Sequence, residues 1–143
     1  MTVKEYLNKL TLLKQKANQK EEELKLVKKE NSIYNHAGSG AGNVQTSFRR
    51  TGSRTEQQAV RWVNLESEVS DSVLTYLEER NRMINRIHEL DDIKYIDILH
   101  RRYVDEVSNF ENIAEDMGYS YQYILNSHAQ ALKAFEHKFP ELF

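Results

Sequence analysis

The apolar positions of residues 1–30 recur with a period of seven. Val3, Leu10, Ala17 and Leu24 form one series, and Tyr6, Leu13 and Val27 stand three residues after its first, second and fourth members. Lys20 is the polar exception in that second set. Apolar residues spaced this way fall on one stripe of a helix and specify a coiled-coil seam. Thr2 and Glu5 have the spacing of a capping box, in which each side chain satisfies the other residue's backbone N–H. A further series runs through Trp62, Val69, Tyr76, Met83 and Leu90, with Val73 and Ile87 four residues after members of it. It predicts a long helix over 56–90. Two partners could bury its stripe: helix 1–30 of the same chain folded back antiparallel, or the same hairpin of a second copy.

After Leu90 the seven-residue period stops. Asp91–Asp92 reads as a break in which one Asp caps a helix over 92–104, with Ile93, Ile96, Leu99 and Tyr103 on one face. "SNFENIAEDM" offers two caps for the next helix, Ser108 boxed with Glu111 or Asn109 one residue on. Ile113 and Met117 form its buried face, small Ala114 marks a close crossing, and Gly118 supplies the left-handed residue that ends it. Ser120 caps a last helix in which Ile124, His128, Ala131 and Phe135 share a face. The expected fold is therefore all-α. A long helical hairpin or coiled coil over 1–90 precedes a bundle of three short helices over 91–143.

Residues 36–58, "HAGSGAGNVQTSFRRTGSRTEQQ", interrupt the first part and read as a flexible basic linker. Two uses stay open for it. It is either a solvated tether or, through Arg49, Arg50 and Arg54, a contact for phosphate or an acidic partner.

Composition narrows the class. With 29% charged residues and a mean hydropathy of −0.74, the 143-residue chain suits an elongated or oligomeric protein better than a compact monomer. A homodimer through the coiled half is the expectation. The absence of Cys excludes disulfides, a thiolate zinc site and a Cys nucleophile, and makes the cytoplasm the expected compartment. No apolar run approaches the roughly 18 residues of a membrane span, and no signal-peptide pattern follows Met1. None of the five His pairs at the i, i+4 spacing of a helical metal site. "GSGAG" follows no strand and lacks the Lys-Ser/Thr of a phosphate loop. Neither an enzyme nor a cofactor is expected.

The net charge of −2 is unevenly spread. Residues 1–30 carry +3 and 31–58 carry +2, whereas 59–92 carry −4 and 93–143 carry −3. A basic first helix thus matches an acidic second one.

The C-terminal stretch "ILHRRYVDEVSNFENIAEDMGYSYQYILNSHAQALKAF" resembles region 4 of bacterial sigma-70 factors. The carriers are a helix ending in Arg-Tyr, a short loop, "IAEDMGYS", and a helix ending in "QAL". The chain as a whole resembles a family of small phage and prophage proteins related to late transcription activators of the RinA and ArpU kind. The resemblance implies a sigma-region-4-like helix-turn-helix, double-stranded DNA as ligand, RNA polymerase or another host protein as a further partner, and a bacterial host. It places base and backbone contacts at Ser120, Tyr121, Gln122, Asn126 and Gln130, with phosphate contacts from Arg101, Arg102 and Lys133.

One departure is large. In the family this resembles, the positions of Tyr121, Gln122, Asn126 and Gln130 are often Arg, His or Lys, and here all four are neutral. No Lys or Arg lies between Arg102 and Lys133. Direct reading of adenine by Gln122 and Asn126 survives, but the charge that supplies most non-specific affinity does not. A second reading follows from this. The chain is a protein-partner module, an antirepressor or an inhibitor of a host nucleic-acid enzyme such as a defence nuclease, that keeps the fold and gives up the DNA.

Overall fold

A computed structural model describes residues 1–38 and 44–143. Every element among them is helical. Helix α1 spans Val3–Gly38 and α2 spans Val44–His88. Helix α3, Ile93–Leu99, continues into a π-helical turn at His100–Val104. Helix α4 covers Phe110–Met117, α5 covers Tyr121–Lys138, and a 3-10 turn at Pro140–Leu142 follows. No helix among the described residues is long and apolar enough to cross a membrane.

The expected linker, 36–58, falls partly outside the described residues. Helix α1 runs to Gly38 and α2 is already formed at Val44, so helix occupies both ends of 36–58. Residues 39–43 and the side chains of Arg49, Arg50 and Arg54 lie outside the described residues. No proline stands between Val44 and Gln58. Once residues 59–88 have nucleated a helix, each residue added to its end gains a backbone hydrogen bond. That gain offsets the cost of about 1 kcal/mol for Gly52.

The chain divides into two compact units. Met1–Lys14 joins Thr75–Phe143 in one, and Gln15–Leu74 forms the other. In the first unit Val3, Tyr6, Leu7 and Leu10 of α1 share a core with Met83 and Ile87 of α2. Leu99, Tyr103, Ala131 and Phe135 complete that core from the C-terminal helices. Among themselves α3 to α5 also hold a smaller cluster of Ile98, Ile113, Ala114 and Ile124. The face of α5 that carries Phe135 needs the ends of α1 and α2 to cover it.

This crowding explains several positions that heptad reading misses. Leu7 belongs to neither seven-residue series yet is fully buried, because more than one partner surrounds the start of α1 and the apolar arc must widen. Ile98 is likewise fully buried, whereas Ile93, expected on the buried face, is 77% exposed. The turn after the π-helix is held from α1. The Lys14 ammonium lies 3.1 Å from the Glu106 carboxylate. Glu106 itself adopts φ 59°, the left-handed position that glycine ordinarily fills at a helix end.

In the second unit Leu24, Val27 and Leu65 are buried, with Trp62 and Val69 half-buried against them. Ion pairs join Lys20 to Glu68, Lys28 to Glu66 and Glu23 to Arg61. Lys28 also stands 5.4 Å from the centre of the Trp62 ring, whose indole N–H donates to Glu66. The basic helix lies against the acidic one, within one chain, as the charge distribution predicts. Exposed pairs of this kind contribute at most about 1 kcal/mol each. They choose the partner and its direction; the apolar seam supplies the stability.

Candidate nucleic-acid interface

Short capping signals fix the geometry between α4 and α5. Of the two candidate caps, Asn109 is used, its side chain accepting from the Glu111 N–H at 2.8 Å. Gly118 takes φ 74° and ψ 28°, and Tyr119 N–H donates back to the Ala114 carbonyl at 3.0 Å. This closes α4 with a left-handed glycine, as its sequence predicts. Ser120 Oγ then accepts from the Tyr123 N–H at 3.2 Å and starts α5. Ser120 therefore accepts at the helix start and keeps its O–H as a free donor. Ile98, Ile113, Ala114 and Ile124 lock the three helices together.

Burying Ile124, His128, Ala131 and Phe135 turns the opposite face of α5 outward. That face carries Gln122, Asn126, Ala129 and Lys133, all exposed, at i, i+4, i+7 and i+11. The Gln122 amide donates to Asn126 Oδ1 at 3.3 Å, so the two candidate readers form one paired amide surface. Tyr121 is exposed beside them. Gln130 is turned to the flank, where its Oε1 accepts from the Tyr95 hydroxyl at 2.9 Å.

The two arginines expected to hold phosphate are engaged inside the chain. Arg101 Nε donates to Asp97 at 2.8 Å, and its Nη1 lies 3.6 Å from Asp116. Arg102 donates to the Ser108 carbonyl at 2.6 Å and sits 4.6 Å from the centre of the Phe110 ring. Each arginine joins the α3 segment to the loop or helix that follows it. Asp97 is visible in sequence as an i, i+4 partner; Asp116 and Phe110 are not.

A cation missed by sequence reading takes a place beside the start of α5. Lys94 donates to the Tyr123 hydroxyl at 3.1 Å and stands 5.5 and 5.6 Å from the centres of the Tyr119 and Tyr123 rings. Those two rings stack at 4.7 Å. The hydrogen bond to Tyr123 raises the Lys94 pKa above its ordinary value, and the neighbouring tyrosines add to the effect. The residue is 29 positions from Tyr123 and stands in the first turn of α3, which the Asp92 cap starts.

The surface so assembled offers amide donors and acceptors, phenols and a few cations. It contains no nucleophile held by a base. Among the described residues no group of three His, Asp or Glu could hold a metal ion. Comparison of the chain with models of protein families, with curated proteins and with solved structures gives no match.

Proposed function

We propose that α4, the turn through Gly118 and Ser120, and α5 act as a sigma-region-4-like helix-turn-helix that reads double-stranded DNA. The protein is then a transcription regulator of the phage or prophage kind. The supporting observation is the exposed row Gln122, Asn126 and Lys133 on α5, with Lys94 pinned beside its first turn. A primary amide donates to N7 and accepts from N6–H of adenine, and each member of the Gln122–Asn126 pair keeps a free donor and acceptor for that contact. Tyr121 reaches a phosphate or a thymine methyl. Lys94 and Lys133 take the phosphate contacts, and Arg101 and Arg102 enter mainly as residues that hold the frame.

A titration of fluorescence anisotropy tests this with promoter-length duplex over a salt series. Two phosphate contacts per chain give a log–log slope of about −2. Lys94→Gln and Lys133→Gln each reduce it by about 1. Asn126→Ala relaxes preference at one base pair by about 1–3 kcal/mol and leaves the slope alone. An absence of signal at about 50 mM salt defeats the proposal.

One observation favours the second reading, a protein-partner module of the antirepressor or enzyme-inhibitor kind. Both arginines nearest the interface are engaged within the chain, Arg101 by Asp97 and Asp116 and Arg102 by the Ser108 carbonyl and the Phe110 ring, while Tyr119, Tyr121 and Tyr123 stay exposed. Aromatic enrichment with charge depletion is the composition of a protein interface core. The same titration separates the readings, since such a module gives no salt-dependent DNA signal.

A further inference from the structure

Helix α2 has two apolar faces, and α1 covers one of them. Trp62, Leu65 and Val69 face the α1 seam. Roughly 140° around the helix, Val60, Val63, Leu74 and Leu77 are 59, 63, 56 and 46% exposed, with exposed Ser67 and Ser70 between them. Scattered apolar residues on a surface are ordinary. These six are not scattered. Their spacing of 3, 4, 3, 4 and 3 is that of a second coiled-coil seam on the same helix.

The series is also self-complementary. Reversed about a point between Glu68 and Val69, it sets Val60 opposite Leu77, Val63 opposite Leu74 and Ser67 opposite Ser70. Aliphatic side chains then fill both ends, and the small serines stand where two backbones come closest. The flanking charges choose the direction. In the antiparallel register Glu66 meets Val73 of the second copy, Asp71 meets Asn64, Glu78 meets Gln57 and Arg80 meets Ala59. No like charges face one another. A parallel pairing would set Glu66 of each copy beside Asp71 of the other, which costs stability on both sides.

We propose that two copies of this chain pair antiparallel through this outer face of α2, about a two-fold axis at Glu68–Val69. The interface is isologous, so it closes at two copies and does not propagate. The assignment goes beyond the DNA reading and does not depend on it.

Sedimentation equilibrium of the full chain and oxidative cross-linking test it, and neither uses DNA. The expected mass is twice the 16.9 kDa of one chain. The double variant Val63→Glu/Leu74→Glu raises the dissociation constant at least about 100-fold by burying unpaired charges, and its helical circular dichroism stays unchanged. Because the chain has no Cys, single-cysteine variants report the register cleanly. Val63→Cys chains mixed with Leu74→Cys chains cross-link. Neither cross-links alone, since like positions lie about 16 Å apart along the axis, beyond disulfide reach. Four results overturn the proposal: a monomeric wild type at about 100 µM, a dimer unaffected by the double variant, Val63→Cys linking to itself, or a dimer whose mixed cysteines fail to link.

Discussion

The hydroxyl of Tyr103, at the end of the π-helical turn, lies 2.8 Å from Nε2 of His128 on α5, and both side chains are buried. The rings stack at 5.7 Å, and Phe110 closes on His128 at 4.8 Å. Burial, with help from the nearby positive charges of Lys4 and Arg102, lowers the His128 pKa to about 4. Burial pushes the Tyr103 phenol up to about 12. The pair is neutral at pH 7 and joins two helices through one polar contact inside an apolar core. His128 carries reactive chemistry in name and packs as a core residue in fact.

Stability should fall as pH drops from about 6.5 towards 4. The folded-state pKa of His128 lies below the ordinary 6.5, so the unfolded chain takes up the proton first and gains on the folded one through that window. Above pH 6.5 the penalty is absent, and below about 4 it stops growing. The loss amounts to roughly 1–3 kcal/mol. Comparing thermal midpoints of wild type and His128→Gln at pH 7.5 and 5 isolates it from the carboxylates. Equal pH slopes in the two proteins would rule it out.

Tyr103→Phe keeps the ring and removes the hydroxyl, leaving a buried imidazole nitrogen without its partner. The expected cost is about 1–3 kcal/mol at pH 7, read by urea denaturation. A variant as stable as wild type would mean that water reaches His128.

Gly118→Ala should destabilise through the backbone alone. A Cβ there meets nothing within 4 Å, so only the left-handed φ of 74° is at stake. The penalty is about 1–2 kcal/mol. That is a fall of roughly 2–8 °C in thermal midpoint. Gly118→Asn, which tolerates that region, should recover part of it. An unchanged midpoint in the alanine variant would show that α4 ends differently in solution.

Arg102→Ala should cost about 1–3 kcal/mol of stability, because a charged donor to the Ser108 carbonyl and a cation over the Phe110 ring are lost together. Arg101→Ala should cost less, since it breaks partly exposed pairs with Asp97 and Asp116. It also leaves two uncompensated acids beside the candidate interface, so it should weaken DNA binding on all sequences alike. Circular dichroism melts and anisotropy titrations on the same preparations separate the two effects. If Arg102→Ala lost binding with no loss of stability, Arg102 would be a phosphate contact after all.

Local and periodic signals were legible in the sequence. The Thr2–Glu5 box, the Ser120 cap and the Gly118 stop involve partners within a few residues, so identity and spacing suffice to place them, whereas the choice of Asp92 over Asp91 and of Asn109 over Ser108 came from the structure. The heptads of α1 and α2 and the buried face of α5 followed from repetition over many turns. Each of these is decided by a helix's own geometry.

Tertiary packing decided the rest. Whether Leu7 is core or surface depends on how many helices converge on it, which a pattern written for one partner cannot express. Lys94 became part of the candidate interface, and Arg101 and Arg102 were drawn away from it, through contacts with Tyr123, Asp116 and Phe110 that lie far off in sequence or on another element. Charge along a chain is additive and can be counted from the letters. Which charges remain free depends on distances that exist only once the helices have met.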